Sequence, residues 1–250
     1  MVAIVEEALA KAVAIPSATI HAHVESVRRR NPEASPAQLI RLLEKEYLLV
    51  VGGAGGAVGA AAAAPAVGTG VAIALTASDV ATFFGASAAF VLAVASVHGI
   101  DVEDTDRRTT LLLTSLLGDD GAKAVNDLTG QGAPAVARMV ITRMPLATIK
   151  RVNTTLTRRM VRKQAAKQGG LFFGRLLPYG IGIVVGVSGG RALGRTVIQG
   201  ARAAFGNPPS TFGHVVELVP VPPKQLPDAE RAQLPPGAEP KGKKRWGIRR

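Results

Sequence analysis

The pattern of apolar and polar positions reads as a series of helices punctuated by proline and glycine. Val2 to Ala14 and Ser17 to Arg30 carry apolar residues at helical spacing; Pro16 separates them and Asn31-Pro32 ends the second. Ser35-Pro36-Ala37-Gln38 then has the form of a capping box. The hydroxyl serves the free amide three residues on, proline takes the first helical position and the glutamine reaches back. The helix it starts is expected to run through LIRLLEKEYLLVV into a stretch with no charged residue from Tyr47 to Ser78, interrupted at Pro65. A second uncharged run, Val80 to Ile100, follows Asp79. At about 1.5 Å per residue, Tyr47 to Ala64 and Val71 to Val97 each match the thickness of a bilayer core, and together they predict an apolar hairpin turning at Pro65 to Gly70. Such a hairpin either crosses lipid or is buried in a soluble core. Its alanine and glycine content, and the cost of about 2.5–3.5 kcal/mol for placing Asp79 at mid-bilayer, favour burial.

Past His98-Gly99, the segment DVEDTD supplies an N-cap and acids that complement the helix dipole; RRTTLLLTSLLG follows, with Gly118 as the stop. From Pro145 the chain predicts an amphipathic helix. At 100° per residue, Ile149, Val152, Leu156 and Met160 share one face, whereas Arg151, Arg158 and Arg162 fall on the opposite one. A helix of this kind either lies in a membrane interface or packs its apolar side on the protein's own core. Gly182, Gly186, Gly190 and Gly194 then recur every four residues. That spacing aligns them in one stripe, where another helix can approach backbone to backbone, and Gly52 and Gly56 repeat the pattern in the first hairpin. The expected fold is therefore all-α: a helical bundle over residues 1–206 with a Gly/Ala-rich apolar hairpin. After Gly206 the chain is proline-spaced and polar, so residues 207–250 are expected to be a disordered basic tail.

Charge changes this picture. Thirty Lys and Arg against 18 Asp and Glu give a net +12, but the excess is unevenly placed. Residues 1–127 carry nine basic and 14 acidic side chains, whereas residues 128–216 contain 13 basic side chains and no Asp or Glu. A block without carboxylates forgoes internal ion pairs and repels itself unless an external anion offsets it. The expected partner is an anionic membrane surface, met by Arg151, Arg158, Arg159 and Arg162 and by Lys243, Lys244, Arg245 and Trp246 at the end of the chain. An indole among basic residues suits the headgroup level. The alternative is a nucleic acid, for which few aromatic residues are available to stack and no reading motif is present.

Enzyme signatures fail on their details. The chain has no cysteine, which excludes disulfides, thiolate metal sites and Cys nucleophiles. Gly186-Val187-Ser188-Gly189-Gly190 matches the nucleophile elbow of α/β-hydrolases, but no carboxylate stands between Ser188 and His214, the one later histidine. A dinucleotide-binding turn starting at Gly53 and Gly55 needs a glycine where Val58 stands, and no Gly-Lys-Ser or Gly-Lys-Thr provides a P-loop. Read as a calcium loop from Asp101, the acidic cluster has Asp106 and Leu112 where glycine and glutamate are required. His21 and His23, two apart on a helix, point away from each other. No cofactor and no metal are expected. Asp79, a carboxylate within a long apolar region, is the best candidate for a functional polar group, either of a hydrolase or as a structural hydrogen-bonding residue. The first residues, MVAIVEEALA, carry acids where an export signal carries Lys or Arg, so a cytosolic start is expected.

The order of features also carries a family resemblance. The glycine-rich hairpin, Asp79 in an apolar helix, His98-Gly99-Ile100-Asp101 with Asp104 and Asp106-Arg107-Arg108, LLLTSLLG, and Pro178-Tyr179-Gly180-Ile181-Gly182 opening a glycine-stripe helix together resemble the EcsC family of bacterial proteins. Members usually have Tyr at the position of His98 and often Asn around Ser188. The resemblance implies an all-helical fold from about Pro36 to Gly206 and a membrane-linked accessory role, with an ABC transporter or another membrane protein as partner, on the cytoplasmic side. It implies no catalytic activity.

Overall fold

The computed structural model describes the backbone of residues 2–62, 69–100, 103–129, 137, 140, 144–175 and 181–212, and the side chains of residues 4–57, 78–100, 103–128, 137, 140, 144–162 and 186–212. Among the described residues the chain forms eight α-helices and no strand. They are α1 (Val2–Val13), α2 (Ser17–Arg30), α3 (Pro36–Ala62), α4 (Thr69–Val97), α5 (Thr105–Leu117), α6 (Asp119–Thr129), α7 (Leu146–Arg175) and α8 (Ile181–Phe205). All belong to one unit, Met1–His214; a second, Val215–Arg250, lies outside the described residues. The fold is the all-helical bundle that the apolar spacing predicts.

Local chemistry sets the helix ends. Gln38 N–H donates to Ser35 Oγ at 3.3 Å while Ser35 N–H donates to Gln38 Oε1 at 2.8 Å, which satisfies two amides that the start of α3 leaves free. Asp104 caps α5 by accepting the Arg107 N–H at 2.9 Å. Gly99, Gly118 and Gly206 follow α4, α5 and α8 with φ of 68°, 66° and 73°, a conformation that side-chain-bearing residues adopt only with strain. The end of α1 is closed from a distance: buried Arg108 donates to Val13 O at 3.0 Å, to Ile15 O at 2.6 Å and to the Ser17 hydroxyl. A guanidinium aimed at carbonyls left free at a helix terminus satisfies both partners.

Helix α8 holds the centre, touching α3, α4, α5, α6 and α7. It crosses α3 with almost no side chain between them. A Cβ on Gly55 would collide with the Gly186 carbonyl, and one on Gly190 with the Val51 carbonyl. Gly56 is buried in the same seam, its nitrogen 3.4 Å from the place a Gly186 Cβ would take. Gly194 faces the Leu48 and Val51 side chains, and Gly52 lies under Arg191. Gly182 is helical, but its surroundings lie outside the described residues. Further along α8, Gly200 meets the Ser115 carbonyl of α5. Small residues at each crossing let the backbones reach van der Waals contact, where dispersion is strongest.

Helices α3 and α4 pack on each other as the two arms of the expected hairpin; the segment 63–68 between them lies outside the described residues. One stretch, Ser78–Val97 of α4, is long and apolar enough to cross a membrane by length and composition, with a mean hydropathy of 2.1; 56% of it is buried inside the protein. Phe84, Ala88, Val91, Ala93 and Ala95 within it are core residues. Tyr47 anchors α3 there, stacked on Phe90 at 4.8 Å. Ser87 gives its proton to Phe83 O at 2.7 Å, so the Tyr47 hydroxyl donates to Ser87 Oγ at 2.8 Å. Burial pushes the Tyr47 phenol well above the ordinary tyrosine range.

Helix α6 has no counterpart in the expected elements. It begins directly after the Gly118 stop with Asp119 and Asp120 in its first turn, and it crosses α5 closely because Gly121 lies against the backbone of Thr114.

Candidate functional site

Helix α7 is built as its sequence period requires. Ile149, Val152 and Leu156 are 0 to 1% exposed and Met160 is 5% exposed, all within the core. Asn153, beside them, donates to Asp106 O at 2.8 Å and accepts the Thr110 hydroxyl at 2.7 Å, which fixes α7 against α5. A buried amide whose oxygen and NH₂ group both have partners sets the register of a helix pair, because sliding would strand both groups. The opposite face carries Arg151, Arg158 and Arg162, with Lys150 and Arg159 on its flanks, all exposed. From Ile149 to Met160 the apolar side is therefore committed to the protein's own interior; Leu146 at the start of the helix is exposed. What that stretch presents to the outside is mostly charge.

The other described basic side chains of the carboxylate-free block are exposed too. Eight of its basic side chains are described: Lys150, Arg151, Arg158, Arg159, Arg162, Arg191, Arg195 and Arg202, and all are exposed. Among the described residues one of them, Arg202, forms a salt bridge, with Glu44 of α3. Its Nε and Nη2 hold the two Glu44 oxygens at 2.8 and 2.6 Å, a forked arrangement that holds the guanidinium charged, its pKa above the usual arginine value. The Glu44 side chain is 9% exposed and that of Arg202 62%, so the pair is a buried carboxylate covered by an arginine. The other described salt bridges join residues of α1 to α3: Lys11 with Glu7, Arg28 with Glu25, and Glu46 with His23 and Arg30. Among the described residues, the ion pairs of the acidic half are thus mostly internal, and one, Glu44, reaches a cation of the basic block.

The remaining candidates have structural partners. Asp79 is half-buried on α4 and is not without a partner. His98, at the end of α4, donates from Nδ1 to Val94 O at 2.9 Å and packs against Phe205. It lines a half-open cleft of about 510 Å³ between α3, α4 and α8, whose polar groups include Arg41 and the Glu44–Arg202 pair. Ser188 is exposed on α8, without a strand before it, so the hydrolase elbow has no scaffold. Among the described residues no three His, Asp or Glu side chains are grouped as a metal ion requires. Arg107 and Arg108, in the first turn of α5, grip backbone carbonyls, Arg107 reaching Val140 O and Met144 O. Lys243, Lys244, Arg245 and Trp246 lie outside the described residues. The first residues past Gly206 do not leave the helical unit at once, since Phe212 packs on its core and sits 4.4 Å under the Arg28 guanidinium.

The interactions that sequence reasoning missed all join distant positions. Glu44 and Arg202 are 158 residues apart, and Arg108 lies more than 90 residues from the carbonyls it caps. Arg202 sits among 12 other basic residues with no acid nearby in the chain, so only the antiparallel crossing of α3 and α8 reveals its partner. Comparison of the chain with protein-family models, with curated proteins and with solved structures finds no match in any of the three.

Proposed function

We propose that the chain is a non-enzymatic helical accessory protein that attaches to anionic lipid at the cytoplasmic face of a bacterial membrane through the outer face of α7. The observation that carries this reading is the division of that helix, with Ile149, Val152, Leu156 and Met160 buried, Arg151, Arg158 and Arg162 exposed on the face opposite them, and Lys150 and Arg159 exposed on its flanks. Arg151 and Arg162 are 11 residues apart, so the cationic face extends about 16 Å, enough to meet several headgroups at once. Each basic residue near an anionic surface contributes about 1 kcal/mol. Because α4 is largely core, attachment is peripheral: extracting α4 into lipid would empty the interior around Phe84 and Val91. The order of motifs resembling the EcsC family supports the same role, beside a transporter or another membrane protein. The basic residues of the tail add to the same attraction.

Flotation with phosphatidylcholine vesicles, with and without phosphatidylglycerol, tests the reading. Recovery should require the anionic lipid and fall as salt rises, because exposed charges are screened within about 10 Å at 0.1 M salt. Equal recovery with neutral vesicles, or complete displacement by a short DNA duplex at equimolar phosphate, would refute it and favour a nucleic acid in the latter case.

A further inference from the structure

Leu49 and Val50 of α3 are 64% and 50% exposed, adjacent in sequence, and stand at the start of the charge-free run from Tyr47 to Ser78. Gly53 and Ala57 are exposed on the same outward side of the helix, so the strip contains no charge over more than two turns. Its border does. A Cβ on Gly52 would stand 3.1 Å from both Cγ and Nε of Arg191, so that side chain lies across α3 at this level. Arg195 is exposed one turn further along α8. Glu46, the nearest acid in sequence, is engaged by His23 and Arg30 of α2.

We infer that this strip, Leu49, Val50, Gly53 and Ala57 with Arg191 laid across α3 beside it, is where the protein enters the boundary between headgroups and acyl chains of an anionic bilayer. The inference rests on the lipid-attachment reading and adds to it a second, partly apolar contact. Charge complementarity selects an anionic bilayer: the strip carries no charge of its own, the exposed Arg191 lies across α3 beside it, and Arg195 adds a second exposed cation on the same helix. That pairing suits a bilayer. The arginine stems cover apolar surface while their heads reach phosphate, and the leucine and valine leave water. The contact is shallow, because the opposite side of α3 is held against α8 by the Gly55–Gly186 crossing.

The chain has no cysteine, so a single introduced one reports on its own position without background. Leu49→Cys carrying the environment-sensitive fluorophore NBD, and Lys123→Cys on exposed α6 carrying the same label, are each mixed with phosphatidylglycerol–phosphatidylcholine vesicles, and co-sedimentation is measured in parallel. The expected result is a blue shift and intensity gain at position 49 and an unchanged spectrum at position 123, both labelled proteins being bound. Binding with no change at position 49, or with an equal change at both positions, overturns the inference and leaves the lipid-attachment reading standing. Absence of binding overturns that reading and the inference with it. Unlabelled Leu49→Asp/Val50→Asp, changed only at exposed positions, should bind these vesicles at least about tenfold more weakly while keeping the wild-type circular dichroism. Unchanged affinity contradicts the proposal.

Discussion

Helices α7 and α8 come from the same carboxylate-free stretch, yet the protein uses them in different ways. Helix α8 lies among five neighbours and meets α3 through glycine, so its sequence is dictated by contact on several sides. Where its side chains are described, helix α7 buries one face, while Arg151, Arg158 and Arg162 are exposed opposite it and Lys150 and Arg159 on its flanks. The one described basic side chain of the block with a carboxylate partner, Arg202, belongs to α8. Within a single charged block, then, the fold pairs one cation of the central helix, Arg202, and leaves Arg191, Arg195 and the described cations of α7 outward. The lesson is that net charge along a sequence becomes informative about a partner only after the burial of each helix is known.

The largest expected effect breaks the central helix. Gly186→Val places side-chain atoms against the Gly55 carbonyl, a backbone atom that cannot rotate away, and should destabilise the fold by about 3 kcal/mol by chemical denaturation. A change below about 0.5 kcal/mol would mean that α3 and α8 separate easily. On the peripheral helix, the triple change Arg151→Gln, Arg158→Gln and Arg162→Gln should weaken binding to anionic vesicles by about 3 kcal/mol, more than a hundredfold, and leave the denaturation midpoint in place. Equal loss of stability in this variant would show that the outer face belongs to the fold after all.

Arg202→Ala sharpens the contrast between paired and unpaired cations. It leaves the nearly buried Glu44 carboxylate without its fork and should cost about 1–2 kcal/mol of stability, whereas Arg158→Ala should cost almost nothing. The smallest effect concerns pH. The Tyr47 phenol is held protonated in the folded state above its unfolded pKa of about 10, so the stability it contributes is complete below that pH and declines above it. Tyr47→Phe should lose about 1 kcal/mol at neutral pH and show a shallower decline of stability beyond pH 10 in urea titrations; an unchanged alkaline slope would contradict the assignment.

What was legible in the sequence was local. Ser35 and Gln38, Asp104 and Gly118 lie within a turn of the groups they cap, so residue type and spacing sufficed. The two faces of α7 follow from the same arithmetic, since burial of Ile149, Val152, Leu156 and Met160 repeats the helical period. The glycine spacing on α8 announced a close approach but not its partner, because a stripe of small residues fits any helix that comes near. Phe212 shows a similar limit: proline spacing marks the end of helix after Gly206, but only the tertiary position of Arg28 explains why the chain stays on the bundle for six residues more. Whether the apolar side of α7 packs on the protein's own core was undecidable from amphipathicity, which is identical for both arrangements; the burial of Ile149, Val152, Leu156 and Met160 decides it for that stretch.

The most direct test of lipid attachment by α7 is the salt dependence of affinity for phosphatidylglycerol-containing vesicles, measured for the wild-type chain and for the triple Arg→Gln variant. Attachment by the outer face of α7 requires a steep loss of affinity with salt in the wild type and a markedly flatter, weaker curve in the variant. Superimposable curves would contradict it.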